Sequence, residues 1–505
     1  MNANSRREFL ADVGRGMLVA GLGSGLAYDL GLASASAEEP AARLNFGSLE
    51  PLVSLMQETP IDQLMSRLVE KLQSGTELRT LVAAGALANA RTFGGQDYTG
   101  YHAFMALPPA LDMTKELPEK QRALPVLKVL YRNSARIQEH GGVSSEILHP
   151  LTEHDHDFTA ETLCNAVHKR DMNKAEQTFA SMPADAYDKL LQAVMEEVDV
   201  HRVVLAWRAW SMIDIAGKEY AHTLLRQSVR YCVDSEMRRK TPSWSASEIT
   251  KLLPKLLDEH KLIAIGTGTK AADDQWVKRL ADTIYGESRA RAAEAVAMAL
   301  AEGFDPEAVG EAMSLAATRL VLRDPGRAKA EAGKPVGSIH GASVGVHASD
   351  SANAWRNISR VSSPRNRIAS LIVGAYHTAG QATGQSDRPR NEKADAVDVK
   401  DPASFCRELD RAVKANDQSL AVSLVERYTL AGHDVKPVFN TLLAYACSED
   451  GALHAEKYYR TIREEYAKTR ASFRAQHLAA LARVTASEHG FAAAGYAEAC
   501  KLLKA

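Results

Sequence analysis

Two stretches of this chain echo one another at a nearly constant separation, and that recurrence restricts the fold more than any local pattern does. His347 and Ala348 lie 245 positions after His102 and Ala103, and Arg367 and Tyr376 keep the same distance from Arg122 and Tyr131. Further on, Ala412, Val413, Asp417 and Ala421 follow Ala166, Val167, Asp171 and Ala175 at 246. Upstream the separation is 228, pairing Leu300, Gly303, Ala312, Leu315, Ala316 and Arg319 with Leu72, Gly75, Ala84, Leu87, Ala88 and Arg91. Self-similarity at a long fixed spacing is the mark of duplication. Two related helical halves are therefore expected, 45–240 and 291–505, joined by a connecting helical region, 241–290. The change in spacing is absorbed by an insertion around Asp324–Pro335.

The periodicity within each half is that of amphipathic helices, so an all-α fold is expected, a helical array or bundle. Thr59-Pro60-Ile61-Asp62 opens one helix with a threonine cap, and Ile61, Leu64, Leu68 and Leu72 continue it. Glu77–Thr92 is rich in alanine and leucine and reads as a helix packed closely against a neighbour; Asp305–Leu322 is its second-half version. Leu117-Pro118 and Ser363-Pro364 open the next corresponding pair. Helices also read at 160–182, 183–198, 202–215 and 218–232. Their second-half equivalents are 402–415, 419–431, 437–447, 453–468 and 474–488. Ser245-Ala246-Ser247-Glu248 has the capping-box pattern, and Asp387–Asp401 reads as an exposed loop. No run of alternating β-branched residues is found. A chain of 505 residues exceeds one compact core of ordinary size, which suits a duplication.

Ser5-Arg6-Arg7-Glu8-Phe9-Leu10 resembles the twin-arginine export motif, and a glycine-diluted apolar run with Ala-Ser-Ala cleavage candidates follows it. Residues 1–37 are accordingly expected to be a signal peptide. The resemblance implies the twin-arginine export machinery as a partner and a periplasmic or otherwise exported mature protein. Arg15 and Asp29 interrupt the apolar run, so no permanent membrane span is expected after cleavage. Cys164, Cys232, Cys406, Cys447 and Cys500 are dispersed and lack any Cys-x-x-Cys pair, and they are expected to be buried thiols.

Sixty-one basic against 63 acidic side chains leave a net charge of −2, and aromatics make up only 6%. Neither a basic footprint nor a set of stacking platforms is present, so nucleic acid is not an expected partner. Phosphate-loop and nucleophile-elbow motifs are missing as well.

Histidine carries the chemistry that remains, because it exchanges protons and donates lone pairs near neutral pH. His102 and His347 each follow Gly-x at a helix start, and pseudo-symmetry would bring them to one cleft. His340 and His377 belong to the second half alone, His377 standing opposite Arg132, and Tyr131 and Tyr376 would support them. The expected catalytic set is His102, His340, His347, Tyr376 and His377. A loop dense in imidazoles and carboxylates offers His149, His154 and His156 as possible metal ligands, although no tight ligand spacing unites them. His201 and His222, with His454 and His477 in similar places of the second half, are expected to be helix-packing residues. The cofactor is expected to be a transition metal or none.

The His340–Ala348 segment, the Tyr376-His377 helix and the earlier Tyr101-His102-Ala103 element resemble the histidine-bearing helical core of questin-oxidase-like proteins. That resemblance implies an all-helical oxidoreductase acting on an aromatic or quinone-like small molecule, with His102, His340 and His347 lining the pocket. The competing expectation is a helical-repeat binding or scaffold protein without catalysis. Histidines converging on one concavity favour the first, and scattered histidines the second.

Overall fold

A computed structural model describes residues 43–151, 158–181, 185–331, 334–339, 343–382, 384, 386–398 and 400–505. Among them, regular structure is helical throughout, with three isolated β-bridges and no strand. None of these helices is long and apolar enough to cross a membrane. Residues 45–505 form one compact unit.

The first α-helices are α1 (Glu50–Glu58), α2 (Ile61–Gln73), α3 (Leu78–Phe93), α4 (Tyr98–Met113) and α5 (Leu124–Glu139). Next come α6 (Ala160–His168), α7 (Met172–Phe179), α8 (Ala186–Met195), α9 (Val200–Ala216) and α10 (Ala221–Arg238). The middle of the chain forms α11 (Glu248–Glu259), α12 (Leu262–Ile265), α13 (Asp274–Gly286) and α14 (Arg289–Ala301). Then follow α15 (Pro306–Leu322), α16 (Val344–Val361), α17 (Pro364–Thr378), α18 (Pro402–Lys414) and α19 (Gln418–Leu430). The last are α20 (Lys436–Ser448), α21 (Ala455–Lys468), α22 (Ala471–Glu488) and α23 (Tyr496–Leu503).

Several expected boundaries move, for local reasons. The helix expected over 160–182 breaks into α6 and α7 because Arg170 takes a left-handed φ of 58° and Asp171 then caps a new start through Lys174. Thr59 is not a cap; Pro60 holds that position ahead of α2. Glu119–Gln121 make only a 3-10 turn after Pro118, and α5 begins at Leu124. The Ser245–Glu248 box does not form: α11 begins at Glu248 with Ser247 in the cap position, and the Ser247 hydroxyl donates to the Glu196 carbonyl. Within 387–401 the described residues include a 3-10 turn at Glu392–Ala396. All five cysteines are free thiols.

The core runs through α3 and α15. Every residue from Leu81 to Phe93 is buried, and so is all of Ala308–Leu322 but Arg319. Each fully buried leucine there contributes about 2 kcal/mol by leaving water, and small residues let neighbours approach. A Cβ at Gly85 would stand 2.4 Å from Leu130, and one at Gly310 would stand 2.9 Å from Arg356. Around this core α3 packs on α4 and α4 on α5, as α15 packs on α16 and α16 on α17.

Candidate metal centre

Helices α4, α9, α16 and α21 form a closed ring: α4 touches α9 and α21, and α16 touches the same two. Their side-chain pairs show that all four run in one direction. His102 of α4 meets His454, just ahead of α21, while ten residues further along α4 Asp112 pairs with Arg460. Thr461 donates to Asp350, Asn353 donates to Glu464, and Lys468 donates to Asn357, which sets α16 and α21 in parallel register. The four starts therefore share one end of the bundle, and each carries a histidine near it.

The chain builds these starts deliberately. Asp97 caps α4 by accepting from Gly100 N–H at 2.7 Å, and Asp199 caps α9 by accepting from Arg202 N–H at 2.8 Å. Ser343 caps α16 by accepting from Val346 N–H at 3.2 Å. The glycine two residues before His102 and His347 has a steric purpose in each case. A Cβ on Gly100 would lie 2.5 Å from the Phe93 ring at the end of α3, and one on Gly345 would lie 2.6 Å from the Val321 backbone at the end of α15. Both helix starts thus rest directly on the helix before them, which fixes the direction of the histidines.

His102, His201, His347 and His454 close a four-membered ring of contacts. Ring centroids are 4.9 Å apart for His102–His201, 5.3 Å for His201–His347, 5.4 Å for His347–His454 and 4.8 Å for His454–His102. Three of these residues, His102, His347 and His454, place one ring nitrogen each within 4.8 Å of the other two. His347 Nε2 and His454 Nε2 are 3.3 Å apart. Two nitrogens on a tetrahedral ion with bonds of about 2.0–2.1 Å stand about 3.3–3.4 Å apart, so this pair already has a metal-ligand spacing.

The protonation pattern follows from the partners. His102 Nδ1 lies 2.8 Å from the Tyr98 carbonyl and His454 Nδ1 lies 3.0 Å from the Ala452 carbonyl. A carbonyl oxygen only accepts, so each Nδ1 carries the hydrogen and each Nε2 presents a lone pair. His102 Nε2 and His201 Nε2 are buried and have no hydrogen-bond partner. Burial pushes His102 far below the ordinary histidine range, with nearby Lys457 acting in the same direction. His454 is driven well below that range by burial and by Lys457. His201 falls to about 4, burial outweighing the Asp199 carboxylate. Four helix starts add their positive dipole ends at the same place. Neutral imidazoles are the result, held in the tautomer that ligates a metal and fixed by carbonyl acceptors as metal-binding histidines usually are. Half-exposed Tyr98 leans on His102 with ring centroids 4.4 Å apart, and His201 is partly buried.

Of the residues expected from sequence, His102 and His347 come together. Tyr376 donates to Glu248 at 2.9 Å on α11, and His377 accepts from the Trp355 indole at 3.2 Å, so both have structural partners of their own. His149 uses its backbone carbonyl to accept from Arg226. His154, His156 and His340 lie outside the described residues. His201 and His454, expected to be packing residues, instead complete the cluster, whereas His222 and His477 do pack. His222 stacks on Phe179, and His477 bonds Thr318 and Thr469 through its two nitrogens. The signal for His454 was present, since it follows His201 by 253 positions, close to the separation between His102 and His347. Neither residue has the Gly-x prefix that drew attention to the other pair.

Comparison with family models, curated proteins and solved structures gave no match.

Proposed function

We propose that this chain is a metal-dependent enzyme in which His102, His347 and His454 hold one divalent transition-metal ion, with His201 beside it. The observation that carries the reading is the convergence of three imidazoles, two of which, His102 and His454, have their Nδ1 hydrogens already committed to backbone carbonyls. His102 Nε2 is buried with no hydrogen-bond partner, and a cation bound beside it would relieve the cost of that unmet lone pair. Imidazole ligands without thiolates suit zinc, copper, iron or nickel. Three protein ligands leave coordination positions free for water or substrate, the arrangement of catalytic rather than structural sites. On the same reading the protein is an oxidoreductase for a small aromatic or quinone-like molecule, the metal being the redox-active group. The twin-arginine resemblance supports export to the periplasm, a route open to proteins that acquire a metal before transport. The recurrence of one helical order on both sides of the bundle supports descent from a duplicated unit.

The test is elemental analysis of protein purified after folding in its native host, beside His102→Ala and His454→Ala. The expected result is about one transition-metal ion per chain, lost in both variants while helical circular dichroism is kept. Wild-type protein that is metal-free and takes up no zinc, copper or iron on titration overturns the reading. Replacement of Arg6 and Arg7 by lysine tests export, with cytoplasmic retention expected.

A further inference from the structure

Beyond the histidines, the α4–α9–α21 side of the same bundle opens into a cleft of about 440 Å³. That size is within the range of small-molecule sites. Arg208 sits in its wall. The residue is 4% exposed, lies on α9 seven positions beyond His201, and makes neither an ion pair nor a side-chain hydrogen bond among the described residues. Its Nε is buried without a partner, and burial lowers its pKa. The other three cations of the cleft are all occupied. Arg460 holds Asp112 at 3.2 Å and Glu464 at 2.8 Å, Lys115 holds Asp112 at 2.7 Å, and Arg79 donates to the Asp214 carbonyl.

Glu464, Asp350 and Asp112 act on Arg208 without a direct ion pair, and a guanidinium taken out of water with no bonded partner costs several kcal/mol unless something else satisfies it. Its neighbour Trp207, in the same wall, has a buried indole N–H that is also unpaired. We infer that this cleft binds a small organic monocarboxylate, gripped by Arg208 and Trp207. The charge balance sets the class of anion. Among the lining side chains Arg79, Lys115, Arg208 and Arg460 oppose Asp112, Asp214 and Glu464, leaving a surplus of one positive charge, which matches a monoanion and leaves most of a polyphosphate's charge unneutralised. The planar fork of Arg208 matches a carboxylate through two parallel N–H···O bonds. Pro108, Leu111, Ile215 and the indole face supply an apolar wall for the rest of the molecule.

The site shares no side chain with the histidine cluster, so it can be tested apart from the metal. Titration calorimetry on the exported form of the chain, before and after metal chelation, would use benzoate, its neutral analogue benzamide, and inorganic phosphate. Benzoate is expected to bind at least about tenfold more tightly than either comparator, as charge-assisted bidentate bonding requires, and chelation should leave that affinity unchanged. Arg208→Met should weaken benzoate at least about tenfold. Arg208→Lys, which keeps the charge and loses the fork, should weaken it severalfold. Trp207→Phe should cost a few-fold for one lost hydrogen bond. Equal binding of benzoate and benzamide, preference for phosphate, no binding of benzoate at millimolar concentration, or wild-type affinity in Arg208→Lys would each overturn the inference.

Discussion

The two ends of the α4–α9–α16–α21 bundle solve opposite electrostatic problems. At the start of the helices, burial and Lys457 disfavour the charged form of His102, His201 and His454, so that lone pairs collect without charge. Farther along, the interior is fully ionic: Arg356 meets Glu465 at 2.5 Å, and Asn353 bonds both Glu464 and Glu465. Between them lie Asp350 and Lys457. Burial brings Lys457 down to about 8, with Asp350 pulling the other way, and burial raises the Asp350 carboxyl. One bundle can therefore gather uncharged imidazoles at one level and ion pairs at the next, because each layer is set by the neighbours packed against it. What separates the layers is distance along the helix, about 10 Å for seven residues.

That contrast can be broken by mutation. The largest effect is expected from His102→Ala combined with His454→Ala, which should lower metal affinity more than about a hundredfold, since two of three ligands are removed. His477→Ala should leave metal content intact and cost about 1–3 kcal/mol in urea denaturation, because it orphans two buried threonine hydroxyls. Gly345→Ala should cost about 1–3 kcal/mol by pushing α16 off the Val321 backbone. It should also weaken the metal, which titration against a chelator would read. Gly286→Ala, with nothing within 4 Å of the added methyl group, should be neutral or slightly stabilising. Arg208→Met should spare the metal altogether.

The smallest effect concerns pH at the ionic level. Burial opposes ionisation of Glu464, but Arg460, Arg208 and Asn353 outweigh it and hold the carboxyl at about 2. A folded-state pKa below the unfolded value of 4.5 means that this group stabilises the fold above about pH 4.5. The contribution is lost as pH falls from there toward about 2. Denaturation midpoints at pH 5 and pH 2.5 should diverge less in Glu464→Gln than in the wild type.

Much of this was legible in the residues. The 3.6-residue periodicity and the missing alternation specify helices, and Asp305 marks a start at which its side chain does cap the helix. Gly-x-His flagged two members of the cluster because the pair recurs at the long fixed spacing, at equivalent helix starts. His201 and His454 carried no such flag. His454 is positioned by a tight bend in which Ala452 and Leu453 adopt φ of 47° and 64°, conformations their side chains do not advertise. Arg208 was equally silent, one arginine among many on amphipathic helices.

Helix content, the small-residue faces and the apolar stripes follow from the order of amino acids alone, since each depends on neighbours three or four positions away. Which imidazoles share a space, and which arginine lacks a directly bonded partner, depends on partners one to several hundred positions distant. Those relations exist only once α4, α9, α16 and α21 have closed their ring, because burial and lone-pair direction are properties of the packed assembly.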